Sequence, residues 1–287
     1  MYVERKGGEK DTLKKIVITL SVLLGLIIST NVKAANLTDE EYNRLRIVFS
    51  DARIQLMSDA DAERYLSYDL EGTQNVSKYY KVTETTNGTI TSEVSEQEAT
   101  TAASAATTEN GIMPAGALHT TSYKNIQISR TSTGNNYYLM TLINRWLIEP
   151  STKSYDVIAM RLDDATMVAG TQSGEQLYTT NGLTNSVVYS YQGTNMVLSS
   201  NGFGISMNLV DAASGFTCEI EAIVQATTRW ATVYGSYQHA VSNVTLAQSK
   251  SYTISQNGFG EVVNFATGIQ NTYDGMKGVS ISLGYTA

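Results

Sequence analysis

The sequence has few cysteine, proline and histidine residues. Cys218 is the only cysteine among 287 residues, so no disulfide can form within the chain and stability has to come from a buried core. The same count excludes a lipoprotein, because lipid attachment needs a cysteine directly after the leader, where Ala35 stands. His119 and His239 are the only histidines, and neither has carboxylates at a metal-ligand spacing. We therefore predict no metal site and no cofactor.

Positive charge is also scarce. The formal net charge is −7, and removal of residues 1–34 takes away six basic and three acidic residues, which leaves −10. An acidic surface repels phosphate backbones and anionic lipid headgroups. The composition therefore predicts that the protein does not bind nucleic acid, whereas polysaccharide and protein partners remain open.

The one long apolar run is at the start of the chain. Lys14 and Lys15 precede the uncharged residues 16–28, and small residues follow at Val32 and Ala34. A basic start, a short apolar centre and small residues before the cleavage point are typical of a secretory signal peptide, and the run is too short for a comfortable membrane anchor. We predict a signal peptide over 1–34 and a secreted, extracellular bacterial protein without a permanent membrane anchor.

The next segment, 35–82, is predicted to be helical. Two capping signals open short amphipathic helices, one at Thr38 with Glu41 and one at Ser58 with Asp61. Apolar residues recur at helical spacing after each signal. Two helices of this length cannot form a core alone, so we expect them to pack on another part of the molecule.

Residues 83–111 are crowded with Ser, Thr, Ala and Glu and have almost no large apolar side chains. Such a stretch buries too little surface to offset the entropy of ordering, which predicts a flexible linker. The alternative is a membrane hairpin of a β-pore-forming toxin. Glu84, Glu93, Glu96 and Glu98 interrupt both faces of that hairpin, so we expect no pore formation.

From 112 to 287 the apolar residues alternate with period two between turn residues, which indicates strands. The runs 137–148 and 155–162 are apolar on both faces, as expected for strands in the centre of a two-sheet core. Asn201-Gly202 and Asn257-Gly258 each separate two alternating runs, the pattern of a tight hairpin. The fold predicted is mainly β, an antiparallel β-sandwich of jelly-roll type preceded by the two-helix segment.

Several short strings of the sequence resemble a group of uncharacterised secreted proteins of Gram-positive bacteria. The resemblance covers most of the chain after the leader and brings no known activity or catalytic residue. The strings are Leu37–Tyr42, Phe49–Ile54, Ser154–Ile158, Gly204–Leu209 and Tyr234–His239.

Paired carboxylates are the strongest enzyme signal. Glu219 and Glu221 share one strand face, and glycoside hydrolysis needs two carboxyl groups. Residues two apart on a strand, however, lie on the same side of a substrate, so a solvated sheet face is the favoured interpretation. Asp163-Asp164 is typical of a turn, and Cys218 alternates with apolar neighbours as a buried, inert thiol does.

Aromatic residues offer the best candidate binding site. The chain has 18 tyrosines and two tryptophans, and Trp230 and Tyr234 fall on the same face of a predicted strand. Exposed rings in sandwich proteins stack against sugars, although large aromatics more often belong to a core. Our hypothesis is a secreted, non-enzymatic binding or surface-associated protein with a polysaccharide or protein partner, and the alternative is a secreted glycosidase that uses Glu219 or Glu221.

Overall fold

The protein is mainly β and is built on two antiparallel sheets, which confirms the predicted fold class. The computed structural model describes residues 35–85, 88–108, 120–255 and 262–284. The predicted signal peptide, His119 and the hairpin turn at Asn257-Gly258 lie outside the described residues.

The larger sheet, sheet A, has eight strands, and the smaller one, sheet B, has five. Every strand pair in both sheets is antiparallel. In spatial order, sheet A contains β2 (Gly88–Val94), β1 (Asp69–Thr85), β3 (Thr120–Gly134), β4 (Tyr137–Ile148), β11 (Ser214–Ala226), β7 (Ser173–Thr180) and β8 (Leu183–Tyr189), with β6 (Ala165–Met167) paired to β11. Sheet B contains β15 (Val279–Ser282), β12 (Thr232–Gln238), β5 (Tyr155–Asp163), β10 (Gly202–Asn208) and β9 (Met196–Ser199).

The main core lies between the two sheets. The strands predicted to be central are β4 and β5, and each has a strand on both sides and few exposed residues. Alternate residues of β11, such as Cys218 and Ile220, point into this core, as do Phe203 and Ile205 of β10. Burial of such side chains stabilises the fold by about 25 cal/mol per Å² of apolar area removed from water.

Short elements cover the outer face of each sheet. Val157 and Ala159 of β5 alternate with core residues and pack under a small two-stranded sheet, β13 (Tyr252–Ile254) and β14 (Val263–Phe265). A short helix, α5 (Leu246–Ser249), and a 3-10 turn (Gln270–Thr272) lie in the same C-terminal part of the chain.

Three helices, not two, precede the first strand: α1 (Asp39–Leu45), α2 (Asp51–Leu56) and α3 (Asp59–Leu66). The caps predicted at Thr38 and Ser58 are both present, and Thr38 forms a full capping box with Glu41. The helix break that was not predicted is at Ser50, whose side chain accepts the N–H of Arg53 and starts α2. Apolar side chains of these helices pack against Leu139 of β4, on the outer face of sheet A.

The domain boundaries need correction. The helical segment 35–82 ends at Leu66, and β1 then runs for 17 residues. The expected linker 83–111 contains the end of β1, all of β2 and a helix, α4 (Glu96–Thr108). The β-sandwich therefore begins at Asp69 and not at 112, because β1 and β2 belong to sheet A.

Hydrogen bonding between neighbouring strands explains why this polar segment is ordered. Residues 88–94 pair with 79–85 of β1, so backbone bonds replace the apolar burial that the segment lacks. Ser95 accepts the N–H of Glu98 at the start of α4, and Ala99 is fully buried where this helix packs on β1, β3 and β4.

The hairpin predicted at Asn201-Gly202 is confirmed as β9 and β10. Ser199 pairs with Gly202, so the turn residues are Ser200 and Asn201, one position earlier than predicted. Gly202 has a structural reason to be glycine, because a Cβ there would lie 2.2 Å from the carbonyl oxygen of Met160.

Candidate functional site

Glu219 and Glu221 do not lie on a solvated sheet face. Both are buried, and Arg53 of α2 contacts both carboxylates. The Arg53 guanidinium lies 3.1 Å from Glu221 and 3.5 Å from Glu175 of β7. The prediction of a solvated face was wrong because the helices, whose docking site no local pattern indicates, cover this side of sheet A.

Tyr65 and Arg64 of α3 complete this Arg53 cluster. The Tyr65 hydroxyl donates to Glu221 at 2.7 Å and accepts from Arg53 at 3.0 Å. Burial raises the pKa of Tyr65, so the phenol keeps its proton. Burial alone would lower the pKa of Arg53, but Glu221, Tyr65 and Glu175 outweigh it and the pKa is raised.

This geometry does not suit glycoside hydrolysis. A glycosidase places its two carboxyl groups on opposite sides of the bond that it cleaves. Here Glu219 and Glu221 both contact the same guanidinium from one strand face, so they lie side by side and do not flank a substrate bond. The Arg53 cluster is an electrostatic connection between the helices and sheet A.

A cleft of about 550 Å³ opens beside this cluster, between α3 and sheet A. Arg64, Tyr65 and Tyr68 line one side, and Val188 and Tyr191 line the other. The remaining lining residues, mostly small or polar, are Leu139, Gly170, Thr171, Gln172, Ser173, Ser190, Glu221 and Ile223.

A second cleft of about 240 Å³ shares Gln172 and Tyr191 with the first. Met167 and Leu198 line its apolar part, and the side chain of Gln172 is held in place by the carbonyl oxygen of Val168 at 2.8 Å. The two clefts share Gln172 and Tyr191 in their walls; we refer to the two neighbouring clefts together as the Tyr191 groove.

Sequence reasoning missed the Tyr191 groove. Its walls come from α3, from the turn after β8 and from β9, which are far apart in the sequence and become neighbours only in the folded chain. Tyr68 follows a helix and Tyr191 follows a strand, so no single periodicity in the sequence could indicate that they share a surface.

Trp230 and Tyr234, the predicted ligand site, do not share a strand. Trp230 lies in the turn before β12 and is 69% exposed, with Arg229 over its ring at 4.6 Å. Tyr234 lies within β12 and is half-buried, and Arg161 covers its ring at 4.2 Å. An exposed ring is thus available only at Trp230 of these two residues.

A polar cluster in the core contains His239. Its Nδ1 atom lies 3.1 Å from Asp156, which also accepts the hydroxyl of Tyr237 at 2.5 Å. Cys218, predicted to be buried and inert, is fully buried 3.7 Å from the same hydroxyl, and burial raises the pKa of its thiol. A protonated, inaccessible thiol is not a nucleophile.

Across the described ranges, no three His, Cys, Asp or Glu side chains are grouped in a way that would hold a metal ion. No helix in this part of the chain has the length and apolar character needed to cross a membrane. Asp163 ends β5, and Asp164 has a positive φ of 53°, which confirms the turn predicted there.

Comparison with known proteins gives only weak structural similarity. No protein-family model and no curated protein matches the chain. The crystal structure of the collagen binding domain of Erysipelothrix rhusiopathiae surface protein RspB is 8% identical, with a TM-score of 0.27 over 57% of this chain and 63% of that chain. The crystal structure of IDO from Bacillus thuringiensis is 9% identical, with a TM-score of 0.12 over 64% and 88% of the two chains. TM-scores this low establish neither a common fold nor a common function.

Proposed function

We propose that this chain is an exported, non-enzymatic binding protein and that its ligand is a polysaccharide held in the Tyr191 groove. Export rests on the predicted signal peptide. The observation that carries the binding proposal is that two neighbouring clefts share Tyr191 in their walls, because adjoining clefts suit an extended polymer better than a compact metabolite.

The chemistry of the groove supports a sugar ligand. Tyr68 and Tyr191 offer partly exposed rings for stacking, while Ser190 and Ser199 offer hydroxyl groups that can bond sugar hydroxyls. Ligand sites combine apolar and aromatic walls with a few polar groups in this way. An extended polypeptide has the same shape but would also need pockets for its side chains.

Binding to a panel of bacterial and host glycans tests the proposal. Tyr191→Ala should weaken binding roughly tenfold, since an aromatic contact contributes about 1 kcal/mol beyond the area that it buries. Tyr137→Ala is the matched control, because Tyr137 lies at the start of β4 and lines neither cleft.

The other outcomes separate the alternatives. Loss of binding in Trp230→Ala but not in Tyr191→Ala would move the site to the predicted Trp230 and Tyr234 surface. If the protein bound a polypeptide and none of the glycans, the proposal of a polysaccharide ligand would be wrong. Turnover of a glycan that stops in Glu221→Gln would establish the glycosidase alternative.

A further inference from the structure

A lysine and an aspartate meet in the core with no access to solvent. Lys124 of β3 and Asp274, which follows the 3-10 turn, are 150 positions apart in the sequence, and both side chains are 0% exposed. Lys124 Nζ and Asp274 Oδ2 are in direct contact. The pair joins sheet A to the segment that leads into β15 of sheet B.

The surroundings keep this pair dry and fixed. The rings of Trp146 and Tyr237 lie 5.5 and 5.2 Å from Lys124 Nζ and shield it. The segment after Asp274 is held on two sides, because Tyr80 donates to the carbonyl oxygen of Lys277 at 2.7 Å and Gln238 donates to that of Met276 at 2.9 Å.

We propose that Lys124 and Asp274 condense into an amide, an intramolecular isopeptide bond formed by the folded chain itself. In a dry site a buried ion pair is costly, and transfer of one proton from Nζ to Oδ2 gives a neutral amine beside a neutral acid. Nζ then attacks Cγ. The Nζ–Cγ bond forms, the Cγ–Oδ2 bond breaks, and Oδ2 leaves as water with its own proton and a second proton from Nζ.

The hydrogen bonds around the pair match those that the reaction needs. The backbone N–H of His239 donates to Asp274 Oδ1 at 3.0 Å, so it faces the oxygen on which negative charge develops when Nζ adds to Cγ. After the reaction the same N–H bonds the amide carbonyl. The proton left on Nζ has an acceptor as well, the carbonyl oxygen of Tyr237 at 3.2 Å.

The fixed contact between Nζ and the Asp274 carboxyl group lowers the activation barrier further. Reactants held in direct contact behave as if present at a very high effective concentration. Asp156, the other buried acid near Tyr237, accepts from the Tyr237 hydroxyl and the Ala240 N–H and faces the ring of His239, so it is committed to other partners. Asp274 is therefore the carboxyl group that the Lys124 amine reaches.

The bond would provide a cross-link that this chain cannot form with cysteine. Cys218 is the only thiol, so no disulfide can join distant segments. An amide between Lys124 and Asp274 closes a loop of 150 positions and ties the two sheets together covalently. The inference is independent of the Tyr191 groove and of its ligand.

Mass spectrometry of a tryptic digest of the unmodified full-length protein tests the bond directly. Trypsin cuts after a free Lys124, but not after a lysine whose amine is an amide. We expect residues 82–130 to be recovered joined to residues 251–277, with a mass one water below the sum of the two peptides. Recovery of the separate peptides 82–124, 125–130 and 251–277 would overturn the proposal.

Variants identify the reacting groups. Lys124→Arg and Asp274→Ala should each abolish the joined peptide, whereas Lys78→Arg, at a half-buried lysine paired with Glu93, should leave it unchanged. If the joined peptide persisted in Asp274→Ala, another carboxyl group would be the partner and the assignment to Asp274 would be wrong. Because the wild-type digest decides the main question, misfolding of a variant cannot hide the result.

Discussion

Arg53 and Lys124 are both buried cations that face carboxylates, yet they differ in what they can do. Arg53 lies under the helices on the outer face of sheet A and contacts three glutamates, whereas Lys124 lies between the sheets and contacts one aspartate. A guanidinium keeps its proton under all conditions that a protein meets, so it can only act as a charge and a donor. An amine that gives up a proton becomes a nucleophile.

The two cations also differ in the number of carboxylates that each one contacts. The planar guanidinium has five N–H donors and can therefore bind several carboxylates together, which lets one residue of α2 connect to β7 and β11. An ammonium group paired with a single carboxylate has a matched partner for condensation. In this chain the Arg53 cluster therefore docks the helices on sheet A, while the Lys124–Asp274 pair is available for the proposed condensation.

The largest expected effect is the loss of the proposed cross-link. Lys124→Arg should lower the free energy of unfolding by about 5 kcal/mol, the value that chain entropy gives for a covalently closed loop of more than a hundred residues. Urea unfolding followed by fluorescence measures it. Asp274→Ala should have a similar effect, and the double variant should lose no more than either single one, since each removes the same bond. Additive losses would show that the two residues act separately.

The second largest effect is expected for Arg53→Met, which should lower the free energy of unfolding by about 4 kcal/mol. It leaves Glu219 and Glu221 buried without their cation, and removal of one member of a buried ion pair costs much more than loss of a surface pair. Arg46→Ala is the matched control: Arg46 and Asp51 form an exposed pair, for which about 0.5 kcal/mol is expected. Equal effects of the two substitutions in urea unfolding would contradict a docking role for Arg53.

A smaller effect should appear in the pH dependence of stability. Burial raises the pKa of Glu175 above its ordinary value of 4.5, although Arg53 opposes the shift. Folded Glu175 therefore holds its proton more tightly than the unfolded chain does, so its contribution to stability is present below pH 4.5 and is lost as pH rises through the raised pKa. Glu175→Gln should flatten the stability profile from pH 4.5 upward. An unchanged profile in thermal unfolding would contradict this assignment.

Regular apolar patterns in the sequence predicted several strands and helix starts correctly. The doubly apolar runs became β4 and β5, the alternating residues around Cys218 became β11, and the caps at Thr38 and Ser58 start helices. These features depend on neighbours within a few positions, where side-chain spacing and capping act directly.

The segment 83–111 shows where this reasoning failed. Its composition predicted a linker, but β2 is stabilised by backbone bonds to β1, and such bonds do not depend on apolar side chains. The prediction of a solvated face for Glu219 and Glu221 failed for a related reason. Alternation showed that they share a face, but only the docking of α2 decided that this face is buried.

By itself the sequence determined the mainly β class, the central strands, the helix caps at Thr38 and Ser58 and the impossibility of an intramolecular disulfide, because each follows from local pattern or from composition. The tertiary structure alone decided which charges are buried and which distant residues meet. Arg53 and Glu221 are 168 positions apart, and Lys124 and Asp274 are 150 apart. Contacts over such separations depend on sheet pairing and layer packing, and no local pattern of residues encodes them.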